Sequence, residues 1–122
     1  MGFDQASVLI AGITHLLLPE CGPGLIPILP SLLATLASTL VVIDLSRNDI
    51  TFLPEGIRLC TSLEELSISG NPLRTLPPYL GGLVNMRMLA ADDCSLQHLP
   101  AEMSQLGSLH TLCGECFLGG QR

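Results

Sequence analysis

Three consecutive 23-residue segments, 40–62, 63–85 and 86–108, align without a gap, and that period restricts the chain to architectures made by stacking one unit on the next. Each segment places a large apolar residue at its positions 1, 4, 11 and 14. Position 6 is Leu45, Ile68 and Ala91, position 9 is Asn48, Asn71 and Cys94, and position 15 is Pro54, Pro77 and Pro100. Alternation at positions 4 and 6 suits a short parallel strand with one face turned inward. Position 9 has to turn the chain away from that strand, and an asparagine amide can bond the backbone groups that the turn leaves open. Apolar residues at positions 18 and 21 (Ile57 and Cys60, Leu80 and Leu83, Met103 and Leu106) stand three apart, as on one face of a helical turn. A single unit cannot bury its own apolar face, so stacking must build one continuous core.

These residues resemble the leucine-rich repeat family, in its cytoplasmic form with Leu-Pro at positions 14 and 15, found in Ras-pathway scaffolds and scribble-like polarity proteins. The resemblance implies an α/β solenoid with a short curved parallel sheet on the concave face and a helical or irregular convex side. It also implies a role in protein–protein interaction without catalysis.

The two ends depart from the pattern. No charged residue lies between Glu20 and Asp44, a run long enough to raise a membrane span over residues 21–43. Pro27 and Pro30 within it, and the lack of flanking Lys, Arg or Trp, argue against a span. Ile26, Leu29, Pro30, Leu33 and Leu36 stand 24 positions before Ile50, Leu53, Pro54, Ile57 and Cys60. Residues 16–39 therefore read as a degenerate repeat with a decayed strand half, Cys21 falling at position 6, and residues 6–18 as an apolar capping helix. The expected organisation is an N-terminal helix and degenerate repeat over 1–39, repeats over 40–112 and an irregular tail over 113–122. Leu109 and Leu112 open a fourth repeat that is not completed, which suggests a fragment of a longer product.

Composition excludes several function classes. Eleven acidic residues against five basic ones give a net charge of −6, without the positive footprint that nucleic acid or anionic lipid requires. The five cysteines are odd in number and scattered, no basic residue precedes Arg47, and no Asn starts a glycosylation acceptor. Together these point to a cytoplasmic protein. No Ser-His-Asp order, phosphate loop or Gly-x-Gly-x-x-Gly motif occurs, so neither an enzyme nor a cofactor site is expected. His110, Cys113 and Cys116 are spaced like metal ligands or a redox pair. On an extended strand, however, residues three apart lie about 10 Å from each other, so no metal is expected there. Cys60 and Cys94 occupy core positions, and His15 and His98 stand alone.

What remains is binding. In the resembled family the strand residues that do not point inward form or border the concave face, which here gives Asp44, Arg47, Glu64, Glu65, Ser67, Arg87, Met88, Asp92 and Asp93 as protein-binding candidates. With Glu115 that face carries six acids against two arginines. Glu64, Glu65, Asp92 and Asp93 are expected to share one acidic patch suited to a basic partner surface, and by analogy that partner is a small GTPase. Asn48, Asn71 and Cys94 form the structural turn ladder. The competing reading is a truncated recognition segment of a larger signalling enzyme, such as a cyclase, phosphatase or kinase.

Overall fold

The computed structural model describes residues 13–22, 24–97, 99–105 and 111–113. Five three-residue strands, β1 (His15–Leu17), β2 (Val42–Asp44), β3 (Glu65–Ser67), β4 (Met88–Ala90) and β5 (Thr111–Cys113), form one parallel sheet in chain order. Ile43 lies opposite Leu66 and Leu66 opposite Leu89, so each fourth position stacks on the next. Parallel neighbours need a return path on the far side. That path holds the helix α1 (Leu25–Leu36) in the first coil and the 3₁₀ helices η1 (Glu55–Leu59), η2 (Pro78–Gly82) and η3 (Ala101–Gln105) in the later ones.

The core lies between sheet and return path. Positions 1, 4 and 6 of the three regular repeats are all at most 1% exposed, from Leu40, Ile43 and Leu45 to Met86, Leu89 and Ala91. Each fully buried large side chain contributes roughly 1.5–3 kcal/mol. Proline at position 15 has a local reason. Pro54 and Pro77 sit extended at φ −62° and −71°, and their carbonyls accept the amides of Ile57 and Leu80 that open η1 and η2. Fixed φ suits that position, and the missing N–H costs nothing at a helix start.

Asparagine at position 9 stitches adjacent coils. Asn71 is fully buried: its Oδ1 accepts the amides of Asn48 (2.8 Å) and Ile50 (3.0 Å), and its Nδ2 donates to the carbonyls of Leu45 and Ile68, both at 2.9 Å. Asn48 repeats the arrangement one coil earlier, accepting from the Cys21 amide at 2.6 Å and donating to Leu18 and Leu45. Cys94 directs its thiol to the Ile68 carbonyl at 3.2 Å.

The N-terminal repeat differs from expectation in frame and in content. Leu16 pairs with Ile43, an offset of 27, so Leu16 occupies position 4 rather than position 1. Ile13, Leu16, Leu18 and Cys21 then fill positions 1, 4, 6 and 9, and the first three pack against the core. The strand half has not decayed, His15–Leu17 is strand where the end of a helix was expected, and Cys21 stands at the turn rather than at position 6. Residues 1–12, which include the first half of that expected helix, lie outside the described residues. Position 8 confirms the frame: Glu20, Arg47, Gly70 and Asp93 all have left-handed φ, from 54° to 76°. The four extra residues of this first coil lengthen the return path, which allows a 12-residue α-helix where later coils hold five-residue 3₁₀ helices. Leu25, Leu29, Leu33 and Leu36 form its buried stripe. Among the described residues no helix is long and apolar enough to cross a membrane.

Candidate functional site

The outer face of the sheet is bare. Strand residues alternate, so Ile43, Leu66 and Leu89 are buried while Val42, Asp44, Glu65, Ser67, Met88 and Ala90 are half-buried on the other side. Parallel sheets are ordinarily covered on both faces, and here one face has no protein layer over it among the described residues. Across it Val42, Glu65, Met88 and Thr111 lie in register, with Asp44, Ser67, Ala90 and Cys113 in the next row.

The charged candidates do not form one patch. Arg87 reaches Glu64 and Glu65 at 3.3 Å each, so this cluster at the strand starts carries a net charge of −1. Asp92 lies four residues beyond Met88, the partner of Glu65, which at about 3.3 Å per residue puts it roughly 13 Å along the sheet. Asp92 and Asp93 therefore belong to the turns at the strand ends. There the Asp92 amide is held by Ser69 Oγ at 3.0 Å, and Asp93 is exposed. Asp44 is engaged by its own turn, accepting from the Ser46 amide (3.0 Å) and hydroxyl (2.7 Å). Arg47 leans toward Glu20 at 3.7 Å, both side chains well exposed. Glu20 was not among the sequence candidates, although its place at position 8 follows once the first coil is counted as 27 residues. Exposed pairs of this kind contribute little stability, but they fix which charges a partner meets.

One further side chain ties two coils together. The Tyr79 hydroxyl donates to the Pro54 carbonyl at 2.7 Å, bridging the second and third coils on the convex side. Burial, with the Glu55 carboxylate adding to it, pushes Tyr79 up to about 12 from 10.0, and burial pushes the Cys60 thiol up to about 11 from 9.0. The unfolded chain therefore releases these protons first. Their stabilisation is complete below the unfolded values and falls as pH rises, from about 9 to 11 for Cys60 and about 10 to 12 for Tyr79. Thermal melts across that range should show Tm falling with pH. Tyr79→Phe should flatten the part above pH 10, and an unchanged slope in that variant would contradict the assignment. His98, His110 and Cys116 lie outside the described residues, and with them the metal-ligand and redox spacing.

A sequence-family model described as Leucine Rich Repeat matches residues 39–60 and 62–83. The chain carries leucine-rich repeats. These leucine-rich repeats are 38% identical over 80 residues to leucine-rich repeat serine/threonine-protein kinase 1 of Mus musculus, covering 65% of this chain and 4% of the kinase. They are 34% identical over 74 residues to plant intracellular Ras-group-related LRR protein 4 of Oryza sativa subsp. japonica, covering 59% of this chain and 13% of that protein. A leucine-rich repeat protein soc-2 homolog of Drosophila grimshawi is 44% identical over 45 residues, covering 37% of this chain and 7% of the homolog. Among solved structures, a leucine-rich repeat protein of Leptospira interrogans superposes with a TM-score of 0.67 at 28% identity, covering 91% of this chain and 33% of that one. The chain thus spans a small part of each relative's length, and what it shares with them is a protein-interaction repeat module.

Proposed function

We propose that this chain is a non-catalytic scaffold or adaptor of intracellular signalling, acting in the cytoplasm through the concave face of its sheet. The observation that carries this reading is the uncovered parallel sheet, on which apolar Val42 and Met88 lie in register with Glu65 beside the Arg87 pairs. Such a face offers contact area together with charges fixed in place. The acidic excess favours a partner with a basic surface, and the Ras-group name of the rice relative supports a small GTPase. No residue of the face is assigned a catalytic role.

Surface plasmon resonance against a Ras-family GTPase, loaded in turn with GDP and a non-hydrolysable GTP analogue, tests the reading. Saturable binding that Glu64→Lys with Glu65→Lys weakens about tenfold or more is expected. Absence of binding in both nucleotide states would remove the GTPase as partner, and binding indifferent to those variants would move the interface off the concave face. The mouse kinase supports a second reading, in which these repeats are the recognition segment of a larger signalling enzyme. An immunoblot of the endogenous protein separates the two: a species far above 12.9 kDa favours the larger enzyme.

A further inference from the structure

Beyond the concave face, the opposite side of the first two coils carries a second surface. Between α1 and the start of η1 an open groove of about 370 Å³ is lined by Ile26, Leu29, Pro30, Ile50, Phe52 and Glu55, with Thr51, Pro54 and Gly56. Phe52 is 75% exposed, and Ile26 and Ile28 are 45% and 53% exposed. A surface helix ordinarily turns charged side chains to water. Helix α1 has none to turn, because no Asp, Glu, Lys or Arg lies between Glu20 and Asp44. Its outward positions include Ile26, Pro27, Ile28 and Ala34. Apolar residues scattered singly over a surface are ordinary, but Ile26 and Phe52 meet at one formed groove. Pro30 also lacks an N–H, so the Ile26 carbonyl at the lip is without its usual i+4 donor.

Shape and charge select the occupant. The groove runs between two helical ridges, the arrangement that a third helix fills with its apolar face. Its single ionisable lining group is Glu55, whose contact with Arg58 at 3.5 Å is solvent-exposed on both sides and weak. A second copy of this chain would bring a net charge of −6 and the same carboxylate to the groove. We propose that the groove docks an amphipathic helix of a second protein, one apolar side chain entering between Ile26, Pro30 and Phe52 while an adjacent lysine or arginine pairs with Glu55.

The probe is a fluorescein-labelled amphipathic peptide of about 15 residues, built of leucine on one face and lysine on the other, with a leucine/glutamate peptide as counterpart. Fluorescence anisotropy against the full chain at physiological salt should show saturable binding of the lysine peptide and far weaker binding of the glutamate one. Phe52→Asp should weaken the lysine peptide about tenfold or more, as loss of an aromatic anchor does. Glu55→Gln should cost about threefold, as loss of a rim ion pair does. Asp93→Asn, at the far turns, should change nothing. Phe52 is exposed, so its substitution leaves the core intact; Ile26→Asp, at another exposed lining residue, is the second variant should the first melt at lower temperature. Absence of binding, or affinity that survives Phe52→Asp and Ile26→Asp, would overturn the proposal. So would a concentration-dependent dimer abolished by Phe52→Asp, because the groove would then belong to a second copy.

Discussion

Asn71→Ala is expected to lower the unfolding free energy by about 3–5 kcal/mol, because it orphans two buried amides and takes one of two donors from each of two carbonyls. The amides of Asn48 and Ile50 lose their acceptor, and the carbonyls of Leu45 and Ile68 lose a donor. A whole small domain is stable by only about 5–15 kcal/mol, so the variant should sit near the edge of folding. Asn71→Cys should fall between wild type and alanine, since Cys94 occupies the equivalent position one coil later and directs its thiol to the Ile68 carbonyl. Urea unfolding of the full chain gives the ranking by midpoint at constant m. Hydrogen exchange gives the location: the Asn48 and Ile50 amides should lose protection before those of β4, because a solenoid opens at its weakened coil interface. A midpoint that does not move would mean that the Asn71 bonds carry no net stability.

The same ladder shows how far the sequence could be read. Residues 40–108 were legible because every core position recurs, and a pattern seen three times leaves the frame no freedom. The first coil was harder for a physical reason. Its convex half lies 24 residues ahead of the next, Leu33 before Ile57 and Leu36 before Cys60, while its strand lies 27 ahead. The intervening residues are absorbed at the entry to α1, so no single period aligns both halves. The signal was nevertheless present, since Ile13, Leu16, Leu18 and Cys21 keep the 1-4-6-9 spacing of the later coils. Charge was legible as a count but not as an arrangement. The sequence places six acids on or beside one face; the fold pairs two with Arg87, gives Asp44 to its own turn, and separates Asp92 and Asp93 along the strand direction. The groove beside Phe52 left no periodic trace, because it arises where an α-helix meets a shorter 3₁₀ helix.

The convex side should be just as sensitive at one glycine, and Gly81→Ala is expected to cost about 3 kcal/mol, the upper end for overpacking a core. Gly81 is buried in η2 against η3. A Cβ there would overlap the carbonyl oxygen of Glu102, and would lie 2.7 Å from the carbonyl carbon and 2.9 Å from Glu102 Cβ. The obstacle is backbone, which cannot rotate aside as a side chain can, so η3 would have to shift as a unit away from η2. Two other glycines calibrate the effect. At Gly56 a Cβ would meet the Leu33 Cβ at 3.3 Å, a tight contact that a small displacement relieves, and Gly56→Ala should be mildly destabilising. At Gly82 nothing lies within 4 Å, so Gly82→Ala should be neutral or stabilising by up to about 1 kcal/mol through the unfolded chain. None of the three has a left-handed backbone, so conformational strain is not a shared cause. Urea midpoints in the order Gly82→Ala, Gly56→Ala, Gly81→Ala, from most to least stable, would establish that close approach of two backbones holds the last coils together. Equal midpoints for Gly81→Ala and Gly82→Ala would mean that η3 yields without loss, and that the stability of the C-terminal coils rests on the sheet side alone.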